Sequence, residues 1–181
     1  KELGDGCISH IDERSGAFGV NRSGLTVGVS LSSEGGSTAF VAGRRMRPLP
    51  GLGGGISGAE DVDDRGRVAG YARATDGADH AVVWVRRRGS FRIVDLGVPA
   101  GRVGSSATAV SSYGHVVGDV SDPDYYGFAA LWTPRRPHAL VGTWRELGVL
   151  PGGTGSAARD VNRFGVVVGD GESVDGDRGW I

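Results

Sequence analysis

Apolar positions come in short bursts along this chain, and none keeps a helical period. TAFVA (38–42), HAVVW (80–84), FAALW (128–132) and VVV (166–168) are runs of three to five residues closed off by Gly, Asp, Asn or Ser. Apolar runs of that length, rich in Val and bounded by turn formers, predict strands joined by tight turns. The bursts also repeat. Ser-x-Ala-x-x-Val-x-x-x-Gly-x-x-x-Gly occurs as Ser15, Ala17, Val20, Gly24, Gly28, then from Ser57, Ser105 and Ser156 with the same internal spacing. Such self-similarity marks an array of one supersecondary unit.

Each copy predicts the same order of elements. Ala17–Val20 is a first strand, and the run ending in the second Gly is the next. VNRSG, VDDRG, VSSYG and VNRFG between them are hairpin turns, in which Asn, Asp or Ser caps and Gly takes positive φ. The burst ending near Trp84 or Trp132 is a third strand, and the stretch around Leu96 or Leu147 a fourth. Four antiparallel strands in 40–50 residues match a propeller blade. The expectation is an all-β fold, a small β-propeller of about four four-stranded blades over 15–52, 57–97, 105–148 and 156–181. KELG at 1–4 resembles RELG at 145–148. Strand 1–4 is therefore expected to pair with strand 178–181 and close the ring, as the missing part of the last blade. A window cut from a longer array would begin and end in the same way.

Composition narrows the class. Glycine supplies 34 of 181 residues, against about 13 at its usual share, without the three-residue period of collagen. Hydrophobic residues make up 39% and the formal net charge is −1. Bulk charge therefore gives no reason to expect nucleic-acid or membrane binding. No apolar run is long enough for a spanning helix. The chain opens on Lys1 without a signal peptide, which reads as a mature or excised form. Cys7 is the sole cysteine, so no internal disulfide forms. It reads either as a thiol able to pair with another chain or as a buried inert residue.

At this point the motifs resemble a known family. Leu49, Leu52, Gly53, Gly54, Ser57 and Ala59, then Val161, Asn162, Gly165, Val167, Val168 and Gly169, then His80, Ala81 and Trp84 are similar to the HAF repeats of bacteria. Ala42 at the Trp position, Asp63 and Ser111 at the Asn position, and Thr38 and Phe128 at the His position depart from that pattern. The resemblance implies an extracellular, propeller-like array and no particular chemistry.

The repeated letters read as structure: Gly for turns, Ser and Ala where strands crowd, Trp for packing between blades. Function is then expected in the loops that vary. Strand alternation puts turns one–two and three–four on one edge and loops two–three on the other. The two–three loops carry Glu34, Asp76, Asp79, Asp119, Asp122, Asp124, Asp170, Glu172, Asp175 and Asp177. The three–four turns carry Arg44, Arg45, Arg47, Arg86, Arg87, Arg88, Arg135 and Arg136. An acidic edge and a basic rim are thus expected on a nearly neutral chain.

Asp122, Asp124, Tyr125 and Tyr126, with Asp76, Asp79, Asp175 and Asp177, are the candidate ligand site. Carboxylates hold sugar hydroxyls and tyrosine rings cover a sugar face. Asp122 and Asp124 with Asp175 and Asp177 also suit Ca²⁺, although no twelve-residue calcium motif is present. The Arg turns fit phosphate, an anionic cell-wall polymer or an acidic protein. No aromatic platform accompanies them as single-stranded nucleic acid would need. His10, His80, His115 and His138 fall at unrelated repeat positions and no nucleophile elbow occurs. The sequence therefore reads as a non-enzymatic extracellular module binding a glycan or cell-surface ligand. The alternative is a scaffolding propeller docking a protein partner in a secreted assembly.

Overall fold

A computed structural model of the chain describes residues 15–31 and 35–181, and every regular element among them is a strand. The described residues thus hold no helix long and apolar enough to cross a membrane. The strands fall into four consecutive units. The first is β1 (Ser15–Val20), β2 (Thr26–Leu31), β3 (Ser37–Ala42) and β4 (Met46–Pro48). The second is β5 (Gly53–Val62), β6 (Val68–Ala74), β7 (Asp79–Arg87) and β8 (Ser90–Asp95). The third is β9 (Gly104–Val110), β10 (Val116–Ser121), β11 (Gly127–Pro134) and β12 (Gly142–Glu146). The fourth is β13 (Ser156–Val161), β14 (Val167–Gly171) and β15 (Arg178–Trp180).

Within each unit, consecutive strands pair antiparallel. One parallel bridge, Ser37 to Ile56, joins the first unit to the second. The expected all-β class and order of strands hold. The fourth strands differ in detail: β8 stops at Asp95 and β12 at Glu146, just before the leucines expected within them. Those leucines still bond across, Leu96 N–H to the Ala81 carbonyl (3.0 Å) and Leu147 N–H to that of Ala129 (2.8 Å). The expected partner strand 1–4, Cys7, His10 and Glu34 lie outside the described residues.

Both repeated glycines have a backbone reason. Gly24, Gly66, Gly114 and Gly165 take φ of +80°, +77°, +111° and +82° in the one–two turns, where a Cβ is disfavoured. The second set answers to a β-bulge that shifts the register in the first strand of all four units. An added Cβ at Gly118 would sit 1.9 Å from the Ser106 carbonyl oxygen, and at Gly70 2.0 Å from that of Gly58. No side chain fits there.

The cores lie between units rather than within them. Val27, Ala39, Val41 and Leu49 of the first unit meet Ala59, Val62, Val82 and Trp84 of the second. Ala69, Ala81 and Val83 then meet Ala107, Val110, Val116 and Trp132. Ala109, Val117 and Leu131 meet Ala158, Val161 and Val167. The third strands of the second and third units are covered on both faces, so they read as unbroken apolar runs. Trp84 is fully buried, and its Nε1–H donates to the Pro50 carbonyl at 2.7 Å.

The repeated serine fastens each junction. Ser57 Oγ accepts from the Ala39 N–H (3.0 Å), Ser105 Oγ from Ala81 (2.8 Å) and Ser156 Oγ from Ala129 (2.9 Å). Ser105 and Ser156 also donate to the carbonyls of Gly97 (2.9 Å) and Gly148 (2.6 Å). The third strand of one unit is thereby clasped to the first strand of the next.

Candidate functional site

The one–two turns share one chemistry despite three residue types at the cap. Asn21 Oδ1 accepts from the N–H of Ser23 and Leu25, Asp63 Oδ1 from Arg65 and Arg67, and Asn162 Oδ1 from Phe164 and Val166. Ser111 Oγ takes the His115 N–H. The turns are also tied to one another. Asn21 Nδ2 donates to the Asp63 carbonyl (3.0 Å), and Arg67 Nη2 to the carbonyls of Ser111 (3.0 Å) and Ser112 (3.1 Å). Arg67 Nε binds Asp63 Oδ2 at 2.7 Å, and both side chains are almost wholly buried. Both Asp63 oxygens and the Arg67 Nε and Nη2 carry hydrogen bonds, as burial of charge demands.

Two clefts open on this edge. The first, of about 830 Å³, lies between the first two units. Arg44, Arg45, Arg47 and Arg86 ring it, and Leu25, Val41, Leu49 and Phe91 supply apolar lining. No carboxylate lines it, and those four guanidinium groups have no hydrogen-bond or ion-pair partner among the described residues. The structure thus gathers Arg44, Arg45 and Arg86 of the expected partner-binding set. Arg87 and Arg88 share the Arg86 turn without lining the cleft. Arg135 and Arg136 sit on the β11–β12 loop, away from it.

The second cleft, of about 630 Å³, is formed by turns of the second, third and fourth units. Its lining includes Arg65, Tyr113, His115, His138, Arg163 and Phe164. The Tyr113 and His115 rings stack at 4.7 Å with 12° between planes. Burial lowers the pKa of both His115 and His138 below the ordinary histidine value, and the Arg65 and Arg67 charges add to the effect at His138. None of the aromatic members stood out in the sequence as site residues. The available signal was an aromatic side chain just before the turn glycine in VSSYG and VNRFG.

The opposite edge carries the expected ligand site in dispersed form. Asp122 Oδ1 caps its own loop, accepting from the N–H of Asp124 (3.0 Å) and Tyr126 (2.9 Å). Asp76 caps in the same way, through the Ala78 N–H. Asp79 pairs with Arg73 (2.9 Å), Asp175 with Arg178 (3.1 Å), and Asp170 with Arg159. The Asp124 and Asp177 carboxylates have no partner among the described residues. Tyr125 is 84% exposed and takes φ +64°, where the matching loop of the second unit has Gly77. No group of three or more His, Cys, Asp or Glu among the described residues is gathered as a metal ion would require. Asp119 is different: burial pushes its pKa up to about 6 despite a bond from the Ala158 N–H and the Arg159 charge.

No protein-family model and no curated protein matches the chain. Function is therefore read from the chemistry of these two edges.

Proposed function

We propose that this chain is a non-enzymatic extracellular recognition module that holds an anionic cell-surface polymer, an acidic glycan, on its basic edge. The carrying observation is the first cleft: four unpaired guanidinium groups around an apolar floor with no carboxylate in the lining. Arginine forks pair with carboxylate or sulfate oxygens, and clustered positive charge speeds the encounter. The acidic edge offers less, because Asp76, Asp79, Asp122 and Asp175 are engaged in caps and ion pairs. The resemblance to the HAF repeats supports the extracellular placement.

We also propose that the four units form a closed propeller, with residues 1–4 completing the fourth sheet beside β15. Two observations support it. In the other units a leucine N–H reaches the third-strand alanine carbonyl (Leu49 to Ala39, Leu96 to Ala81, Leu147 to Ala129). In sequence, Leu3 of KELG matches Leu147 of RELG, and Gly179 takes the place of the third-strand alanine in the fourth unit. Moreover, the Asp160 charge of the fourth unit helps raise the pKa of Asp61 in the second, behind burial as the main cause. Sheets stacked in a straight line would separate those units by about 20 Å, whereas a ring of four sets them across the axis.

The test is retention on immobilised polyuronate against a neutral glucan. Arg44→Ser/Arg45→Ser/Arg86→Ser should weaken retention and reduce its salt dependence with melting unchanged. Equal retention of the triple variant refutes the site. Retention by an acidic protein but by no polysaccharide favours the scaffolding alternative.

A further inference from the structure

The second cleft differs from the first in being built from rings as well as charge. Tyr113 stacks on His115, and His138 leans over Tyr113 at 6.4 Å with 47° between planes. The His138 backbone takes φ +63°, one of three such non-glycine positions among the described residues, and is fixed by its N–H to the Tyr113 carbonyl at 2.8 Å. A non-glycine side chain in that region is uncommon and carries strain. Its Nδ1 is the one buried side-chain nitrogen or oxygen without a partner among the described residues. The turns below are cross-tied: Arg67 links the second unit's turn to the third's through Asp63 and the Ser111 and Ser112 carbonyls.

Two cations flank these rings. The Arg163 guanidinium lies 4.4 Å from the centre of the Phe164 ring, which is 72% exposed. Arg65 comes from the turn of the second unit. Neither has a carboxylate partner among the described residues. A volume of about 630 Å³ lies within the range of small-molecule sites, roughly 300–1,000 Å³. A bare inorganic anion would leave the ring faces uncovered. A neutral sugar would cover rings but bring no charge to the two guanidinium groups. A guest with an apolar C–H face, hydroxyls and one carboxylate meets all three features.

We infer that this cleft is a subsite for a single uronic-acid residue, its ring against Tyr113, His138 and Phe164 and its carboxylate between Arg65 and Arg163. The inference rests on the acidic-glycan reading of the basic edge and adds to it a second, sugar-specific contact formed by the turns of the second, third and fourth units.

The experiment is calorimetric titration with a short oligogalacturonate and, as controls, a neutral gluco-oligosaccharide and inorganic phosphate. Arg65→Ser and Phe164→Ser alter exposed side chains, so the fold is retained. Each should weaken oligogalacturonate binding about tenfold, the loss expected for one charge-assisted or stacking contact. The Arg44/Arg45/Arg86 triple variant, which removes the first cleft's contribution, should still bind the short oligomer, and that remaining binding should be lost with Phe164→Ser. Unchanged affinity in both cleft variants overturns the subsite, as does equal binding of the neutral oligosaccharide. Phosphate binding that matches oligogalacturonate and ignores Phe164→Ser also overturns it, by making the cleft a plain anion site. Retention on polyuronate without any binding of the short oligomer defeats this inference alone. Absence of both defeats the wider reading with it.

Discussion

Asp119 on β10 offers a quantitative test of how the third and fourth units pack. Its carboxylate is largely buried at their junction, where it accepts from the Ala158 N–H at 3.3 Å. Burial raises its pKa from the ordinary 3.8 to about 6, and the Arg159 charge recovers only part of that cost. The displacement corresponds to about 3 kcal/mol of differential stabilisation of the protonated form. Below about pH 4 both folded and unfolded chains hold the proton and nothing is lost. Between pH 4 and 6 the unfolded chain releases its proton first, so folding stability falls. Above pH 6 the full penalty is present. Asp119→Asn keeps an oxygen for Ala158 and removes the charge. It should stabilise the fold by about 1–3 kcal/mol at pH 7.5 and by little at pH 4. For a chain of this size that is about 2–4 °C of melting temperature per kcal/mol. Thermal melts of both proteins from pH 3.5 to 8, compared as a difference at each pH, cancel the other acids. A difference that stays flat across pH 4–6, or a variant less stable at pH 7.5, refutes the reasoning.

Other perturbations bear on the junctions. Ser105→Ala strands the buried Ala81 N–H and the Gly97 carbonyl and should cost about 1–3 kcal/mol, read from urea unfolding; a neutral result removes the clasp. Arg67→Ala leaves Asp63 buried without its guanidinium and should cost about 3–5 kcal/mol. Adding Asp63→Asn should recover part of it, since Asn caps the same turn in the first and fourth units; no recovery would mean the charge is not the cause. Deleting residues 1–4 should lower the melting temperature if they complete the fourth sheet, and leave it unchanged if they do not.

The sequence carries the repeat because each unit solves one backbone problem in the same way. Turn glycines and Asx caps act within five residues, so Gly24 or Asn162 can be read locally. Apolar bursts doubly covered by neighbours, such as 80–84 and 128–132, are strong strand signals for the same reason. What stayed hidden depends on partners far along the chain. Gly70 and Gly118 answer to a bulge on another strand, and the Ser57, Ser105 and Ser156 clasps reach back 18 to 27 residues. The charge separation between edges was legible from strand alternation, but which carboxylates are engaged was not. Asp122 looks like a ligand in sequence and is a loop cap in three dimensions. The ring-lined cleft is hard to read because its rings come from three segments: Tyr113 and Phe164 share the place before the turn glycine, but Ser23 and Arg65 stand there in the other two copies, and His138 comes from the β11–β12 loop.

Unpaired arginines gather on the edge of the first cleft, while carboxylates of the opposite edge are partly paired with Arg73, Arg159 and Arg178, so a molecule of formal charge −1 presents its free positive charge on one side. In the field of an anionic wall such a body experiences more torque than pull. It would rotate before it lands, arriving arginine edge first. The carboxylate-bearing loops would then point away from the surface, so tethering and outward presentation follow from a single orientation.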